Sequence, residues 1–316
     1  MSSAPILVCG EALVDVFPAG DTPQGCTLDA RIGGSPFNVA VTLARLAQPV
    51  AFLGGISRDP LGERLMRALE AEGVGTGAVV RTDAPTPLMI VGRRDDGSAS
   101  YTFHGHGTAE RQVTEAAFDQ LPADLQAIHV GSYAMLVSPM AATLRALVER
   151  AAGQVRIAWD PNVRLQVVPD PQAWRDLHAW MRPRVDILKM SEEDLAVLHP
   201  GVTPREYLTD HRPPDAKLVV VTRGAAGAIA FADGKVFEAR SYAARVVDTV
   251  GAGDAFQGAL LAALAGHGDL RRDRFIAWHR MEQVITWASN VAAVTCGRRG
   301  ADPPRRSELR SGLDGA

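Results

Sequence analysis

With 316 residues, 47% of them hydrophobic and 22% charged, the chain can bury one large core or two smaller ones, and nothing in it reads as a long disordered stretch. A formal net charge of −3 and a pI near 6.2 give no long-range attraction for a polyanion, which disfavours nucleic acid as a main partner. Three cysteines (Cys9, Cys26, Cys296) without C-x-x-C spacing indicate neither a disulfide framework nor a zinc site; no apolar run reaches the roughly 18 residues of a membrane span, no basic leader precedes the first strand, and a cytoplasmic location is the expectation.

In chain order, residues 6–17 read as strand interrupted at Gly10-Glu11, with Asp15 among apolar neighbours, where strand alternation alone would leave it exposed. The run Arg31-Ile32-Gly33-Gly34-Ser35-Pro36-Phe37-Asn38 opens a helix whose Val39, Ala40, Leu43, Ala44 and Leu46 keep helical spacing up to Gln48-Pro49. Pro36 falls near the first turn, where a missing N–H is tolerated. By themselves these residues also fit a glycine turn with a stray Asn. Residues 88–92 and 100–103 flank Asp95-Asp96-Gly97 and predict a β-hairpin. His104-Gly105-His106 lacks a third ligand at suitable spacing and is a poor metal site.

Strands are then expected at 127–131, 156–159, 186–189, 217–221 and 227–231, with helices at 139–152, 171–180 and a short one from Ser191. Near-continuous apolar strands separated by helices predict a parallel sheet covered on both faces, with ligands gathering at the strands' carboxyl ends. The polar runs fall there. Asp160-Pro161-Asn162-Val163-Arg164 fits a turn, Ser191-Glu192-Glu193-Asp194 fits an N-capped helix with acids in its first turn, and Val221-Thr222-Arg223-Gly224-Ala225-Ala226-Gly227 fits a turn between strands.

The last and richest stretch is Asp248-Thr249-Val250-Gly251-Ala252-Gly253-Asp254-Ala255-Phe256, reached through a β-rich run at 243–247. Phe256, Ala259, Leu260, Ala263 and Leu264 recur at helical spacing up to Gly266, so a helix begins at about Gly251. Two glycines at a helix start let bare N–H groups approach an anion. A carboxylate beside a phosphate repels it, so Asp254 needs another reason. One is phosphoryl transfer, in which a carboxylate deprotonates the attacking hydroxyl while N–H groups hold the transferred oxygens. A first-turn Asp complementing the helix dipole is the other.

This stretch resembles the C-terminal signature of the ribokinase-like (PfkB) family of sugar and nucleoside kinases, and the resemblance runs from about Gly10 to Asp302. It implies Asp254 as catalytic base and Gly251, Ala252 and Gly253 as the anion hole. Residues 31–38 resemble the N-terminal signature, so Gly34 and Asn38 inherit contacts with the sugar, as does Asp15 in Gly10-Glu11-Ala12-Leu13-Val14-Asp15. Gly107-Thr108-Ala109-Glu110 is loosely similar to a run that rims the sugar pocket in fructokinase-like members. Arg164, in the Asp-x-Asn-x-Arg stretch, is implied to contact substrate or the transferred phosphoryl group. Thr222, Gly224 and Gly227 match the nucleotide segment, and Ser289, or its neighbour Asn290, faces the nucleotide. Where the family has Asn-x-x-Glu this chain has Ser191 and Asp194. That departure leaves the metal residue between Asp194 and Glu193.

The implied fold is α/β, a three-layer sandwich with a mostly parallel central sheet flanked by helices, in one domain over 1–316 with a small β-sheet lid at about 13–32 and 86–107. The implied activity is an ATP-dependent kinase acting on a primary hydroxyl of a small sugar, D-fructose first. A 2-keto-3-deoxygluconate kinase, with Arg93, Arg94 or Arg111 meeting the acid, is the alternative; a catalytically silent sugar-binding protein is the other, against which the presence of Asp254 and both glycines argues. Mg²⁺ would arrive with ATP, K⁺ is a second cation some members use, and lids in the family pair into homodimers. No Gly-x-x-x-x-Gly-Lys-Ser/Thr occurs, which excludes a P-loop route to ATP.

Overall fold

Ile6-Leu7-Val8-Cys9 has no polar position, and a strand without a polar face must be covered on both sides. In the computed structural model, which describes residues 4–93, 99–241, 245–274 and 276–309, that is what happens. Ile6 and Val8 of β1 (Ile6–Cys9) face one apolar cluster, Leu7 and Cys9 the other, and all four are fully buried.

The first half of the chain continues with β2 (Leu13–Thr22), β3 (Gly25–Gly33), α1 (Ser35–Arg45), β4 (Val50–Leu53), β5 (Gly55–Ser57), α2 (Pro60–Ala71), β6 (Val80–Thr82), β7 (Leu88–Arg93), β8 (Ala99–His104) and β9 (Ala127–Gly131). Then come α3 (Met140–Ala151), β10 (Arg156–Asp160), α4 (Pro171–Met181), β11 (Ile187–Ser191), α5 (Glu192–Leu198), the one-turn α6 (Pro204–Glu206), β12 (Leu218–Thr222), β13 (Ala228–Ala232), β14 (Lys235–Ala239), α7 (Ala252–Gly266) and α8 (Trp278–Cys296).

The main sheet has the order β14-β13-β12-β11-β10-β9-β1-β4. From β4 to β12 every pairing is parallel, and the hairpin β12-β13-β14 closes the edge antiparallel. Residues of α1, α2, α7 and α8 share one apolar cluster and those of α3, α4 and α5 the other, giving helix, sheet and helix layers. The expected three-layer α/β fold is therefore observed. A separate four-stranded sheet, β3-β2-β7-β8, holds the segments expected at 13–32 and 86–107. Among the described residues no helix is long and apolar enough to cross a membrane.

The expected turn at Asp95-Asp96-Gly97, Arg94, and Ala243-Ala244 lie outside the described residues. Residues 245–247, expected to end a strand, are irregular. Val247 N and Asp248 N both donate to the carbonyl of Cys296, at 2.8 and 3.1 Å, so the approach to α7 is moored to the end of α8 and not to a sheet edge.

One buried cluster in the second core titrates. His178 on α4 packs against Trp159 and the edge of His199, with Nε2 3.2 Å from the Tyr207 hydroxyl. Burial, with His199 and Arg182 adding to it, pushes its pKa down to about 3. The unfolded chain then takes up a proton below about pH 6.5 that the folded chain refuses, so stability falls as pH falls, by about 1.4 kcal/mol per unit. Urea unfolding of wild type and His178→Gln at pH 7.5 and 5.5 checks this: the stability gap between them should shift by about 1.4 kcal/mol against wild type. An unchanged gap would show that the folded ring accepts the proton.

Candidate active site

Asp254 lies in the first turn of α7, a helix buried on every side from Asp254 to Leu264. The neighbour it crosses is α1. Gly258, one turn beyond Asp254, meets Thr42, one turn beyond Asn38, so closely that a Cβ on the glycine would lie 2.6 Å from the Thr42 Cβ. That approach brings two distant signatures into contact. Ser35 Oγ donates to Asp254 Oδ1 at 2.7 Å and Asn38 Nδ2 donates to Oδ2 at 2.8 Å. The Asn38 amide nitrogen, expected to serve the sugar, is thus engaged in orienting Asp254.

At the start of α7, Gly251 caps the helix with φ +76°, and a side chain there would collide with Ala301. No side chain caps this end, so the first-turn N–H groups of Gly253 and Asp254 are left for a ligand. Beside them is a cation that the sequence did not disclose. Lys189 Nζ lies 3.1 Å from where a Cβ of Gly253 would stand, so only glycine leaves this approach open. Lys189 and Asp160 occupy neighbouring strands, β11 and β10, and form an ion pair of 2.8 Å, with both side chains at most 3% exposed. Burial would neutralise the ammonium, but Asp160, with Asp194 and Asp254 behind it, outweighs burial and holds the Lys189 pKa above its ordinary value.

A second group of polar side chains adjoins the first. The Asp15 carboxylate on β2 lies over Gly33, with Oδ2 2.6 Å from where a Cβ of Gly33 would be. Burial raises Asp15 to about 6 and Glu11, in the turn before β2, to about 7. Arg164 opposes both shifts and Asp254 adds to both, which places these four charges around one space. Gly34, at φ +105°, brings the start of α1 against the Glu11 carbonyl. Tyr133 is buried in the same neighbourhood, among Glu11, Glu110, Arg111 and Asp15, and its ring meets Phe103 of β8 edge-on at 5.2 Å. Thr108 Oγ1 donates to Glu110 Oε1, and Arg111 stands 3.5 Å from that carboxylate. Glu11 Oε2, Glu110 Oε2 and the Tyr133 hydroxyl are buried without a hydrogen-bond partner among the described residues.

The remaining expected residues fall at the other edge of the sheet. Thr222 ends β12, with Oγ1 3.4 Å from the Met190 carbonyl, and Gly224 and Gly227 form the turn into β13. A Cβ on Gly224 would meet open space, whereas one on Gly227 would collide with the Ala239 carbonyl. Ser289 is buried in α8, which packs against β13 and β14; Asn290 beside it is half-buried and the more accessible. Asp194 has a structural task. Its carboxylate accepts from Ser191 N and Oγ in a capping box and from Val163 N at 2.7 Å, so it fixes the turn that carries Arg164. Glu193 is exposed, and no group of three His, Cys, Asp or Glu side chains able to hold a metal occurs among the described residues.

Fold and site together define a ribokinase-like phosphotransferase. A family model for pfkB family carbohydrate kinases matches residues 4–308, and the chain belongs to that family of ATP-dependent sugar kinases. A fructokinase from Rhizobium leguminosarum bv. trifolii is 34% identical over 315 residues, covering 98% of this chain and 90% of the relative. The crystal structure of fructokinase from Vibrio cholerae O395 with fructose, ADP and calcium ion bound superposes with a TM-score of 0.77 at 27% identity, covering 95% of both chains. A double mutant of the same enzyme, with fructose, ADP and potassium ion bound, gives 0.78 at 26% identity over 95% of this chain and 94% of that one.

Proposed function

We propose that this kinase transfers the γ-phosphoryl group of ATP to a primary hydroxyl of D-fructose. The observation that carries the reading is the set of buried, unpartnered oxygens of Glu11, Glu110 and Tyr133 beside Asp15 and Asp254, because buried polar groups left unpaired are costly unless a polar ligand satisfies them. A polyol supplies the hydroxyls. The pocket's charge favours a neutral sugar over a sugar acid: Glu11, Asp15, Glu110 and Asp254 outnumber Arg31, Arg111 and Arg164, Arg111 already faces Glu110, and Lys189 is paired with Asp160. Relatives named fructokinase agree with that choice.

In this reading Asp254, oriented by Ser35 and Asn38, takes the proton of the attacking hydroxyl. The backbone of Gly251, Ala252 and Gly253, with the Lys189 ammonium, receives the charge of the transferred phosphoryl group, and Arg164 approaches it from the sugar side. Gly34 and the Asn38 carbonyl oxygen border the sugar, while Thr222, Gly224, Gly227 and Ser289 border the nucleotide. The chain offers a divalent ion little of its own, since Asp194 is engaged in capping; Mg²⁺ fits as an ion that comes with ATP and is held through phosphate and water. Potassium is the second cation of the reading, by analogy with the potassium-bound relative. The four-stranded sheet acts as a lid on a single domain, excluding water. Leu28 and Ile90, exposed on one face of that sheet, favour a second copy of the chain as the lid's partner.

A coupled ADP-release assay with D-fructose and with 2-keto-3-deoxygluconate tests the assignment: fructose should be the better substrate by kcat/KM. Asp15→Ala should raise the fructose KM about 10- to 100-fold with the ATP KM nearly unmoved, as expected for loss of a charge-assisted hydrogen bond. An unchanged sugar KM in a folded variant removes Asp15 from the pocket, and preference for the acid overturns the choice of fructose.

A further inference from the structure

The opposite end of the main sheet carries a cavity that the kinase reaction does not use. Its volume is about 420 Å³, and its walls include Arg156, Arg212, Lys217, Arg272 and Arg274. Arg156 opens β10, Lys217 directly precedes β12, and Asp233-Gly234 form the turn between β13 and β14. These are the amino ends of the parallel strands. Asp160, which pairs with Lys189 in the active site, closes β10 four residues beyond Arg156, roughly 13 Å away at about 3.3 Å per residue.

Charges on this wall do not cancel. Asp186 accepts from Arg156 at 3.0 Å and from Arg272 at 2.7 Å, so one carboxylate serves two guanidinium groups. Asp273 is held by Arg271, which lies off the wall, in a two-bonded pair. Lys217 and Arg274 make no side-chain hydrogen bond or close ion pair among the described residues; Arg274 feels Asp273 and Asp269 only at longer range, and Asp233 is the other carboxylate on the wall. An exposed lysine without a partner is ordinary. A buried arginine Nε without one is costly, and of the six such among the described residues those of Arg156 and Arg212 belong to side chains lining this one cavity. Arg156 is 2% exposed and its Nε has no hydrogen-bond partner, and the Nε of Arg212 is likewise buried and unpaired, although that guanidinium is seated 3.6 Å from the centre of the Phe231 ring. Two rigid donors on one concave wall, with excess positive charge around them, make a place for an anion that accepts several hydrogen bonds.

We infer that this cavity is a second ligand site, distinct from the kinase site, for a small phosphorylated anion. Its concave walls and modest volume suit a metabolite-sized molecule, and the chain's net charge of −3 leaves no field to draw in a polymer. Isothermal titration with pyrophosphate tests it, on protein whose nucleotide and sugar sites are first saturated with a non-hydrolysable ATP analogue and fructose. One further site should be seen, binding pyrophosphate more tightly than sulfate. The double substitution Lys217→Glu/Arg274→Glu changes exposed side chains only; it should weaken that site at least about tenfold, the effect of losing charge-assisted contacts, and leave kcat/KM for ATP and fructose unchanged. Absence of a second site in the wild type, binding undiminished in the double variant, or affinity no better than that for sulfate would each overturn the proposal.

Discussion

Asp254→Asn is expected to lower kcat by about 10²–10⁴ while the KM values for ATP and sugar stay near those of the wild type. The geometry makes this substitution unusually clean. Asp254 accepts one hydrogen bond at each oxygen, from Ser35 Oγ and from Asn38 Nδ2. An amide at this position keeps its oxygen on Asn38 and turns its NH₂ toward Ser35, whose hydroxyl can rotate to accept. The contact between α1 and α7 then survives, as does the close packing of Gly258 on Thr42. What is lost is the ability to take a proton. Loss of binding with little change in kcat would make Asp254 a positioning residue, and turnover within about threefold of wild type would sink the base assignment. If Asp254 only complements the helix dipole, the variant costs about 1 kcal/mol or less and turns over normally. Steady-state kinetics and a melting curve on one protein separate the three outcomes.

How much of this was legible in the sequence depended on what each residue does. Strands of the parallel sheet were readable because both their faces are buried, so Leu218-Val219-Val220-Val221 carries no polar residue to confuse the pattern. The approach to α7 misled for a related reason: Val246 and Val247 are β-formers, yet they are 64% and 51% exposed and moored to α8, a tertiary contact that overrides propensity. Asp254 and Asn38 stood out through the motifs around them, but their hydrogen bond joins positions 216 apart and comes from helix packing. Tyr133 and Lys189 have no local signal at all, and Glu11 and Ser35 stood inside motifs that pointed to their neighbours. A Glu after a glycine or a Lys between Leu and Met is unremarkable until burial leaves it unpaired or paired beside a helix start. Asp194 shows the reverse. Its place in a recognisable motif suggested a metal residue, while the Ser three residues earlier already fitted an N-capped helix, and the cap is what the structure displays.

Lys189 is where the structure adds most to the proposed mechanism, and its removal should have the second large effect. Its ammonium sits beside the bare backbone of Gly253, in a setting sealed from water, and the Asp160 pair holds it charged and in place. A positive charge fixed where phosphoryl oxygens pass stabilises the transition state without reorganisation, and deleting one such donor lowers kcat by about 10²–10³. Lys189→Met alone is ambiguous, because it strands Asp160 as a buried unpaired charge at a cost of about 3–5 kcal/mol. The double variant Asp160→Asn/Lys189→Met removes that strain: the side chains keep their volumes and no net charge is buried, so the melting temperature should recover most of the way to wild type. Turnover should not recover. If kcat in the stable double variant returns to within about threefold of wild type, the pair merely staples β10 to β11. If kcat stays at least about a hundredfold down while the melting temperature is restored, the ammonium acts on the phosphoryl group, and the KM for fructose, which Lys189 does not touch in this mechanism, should move little.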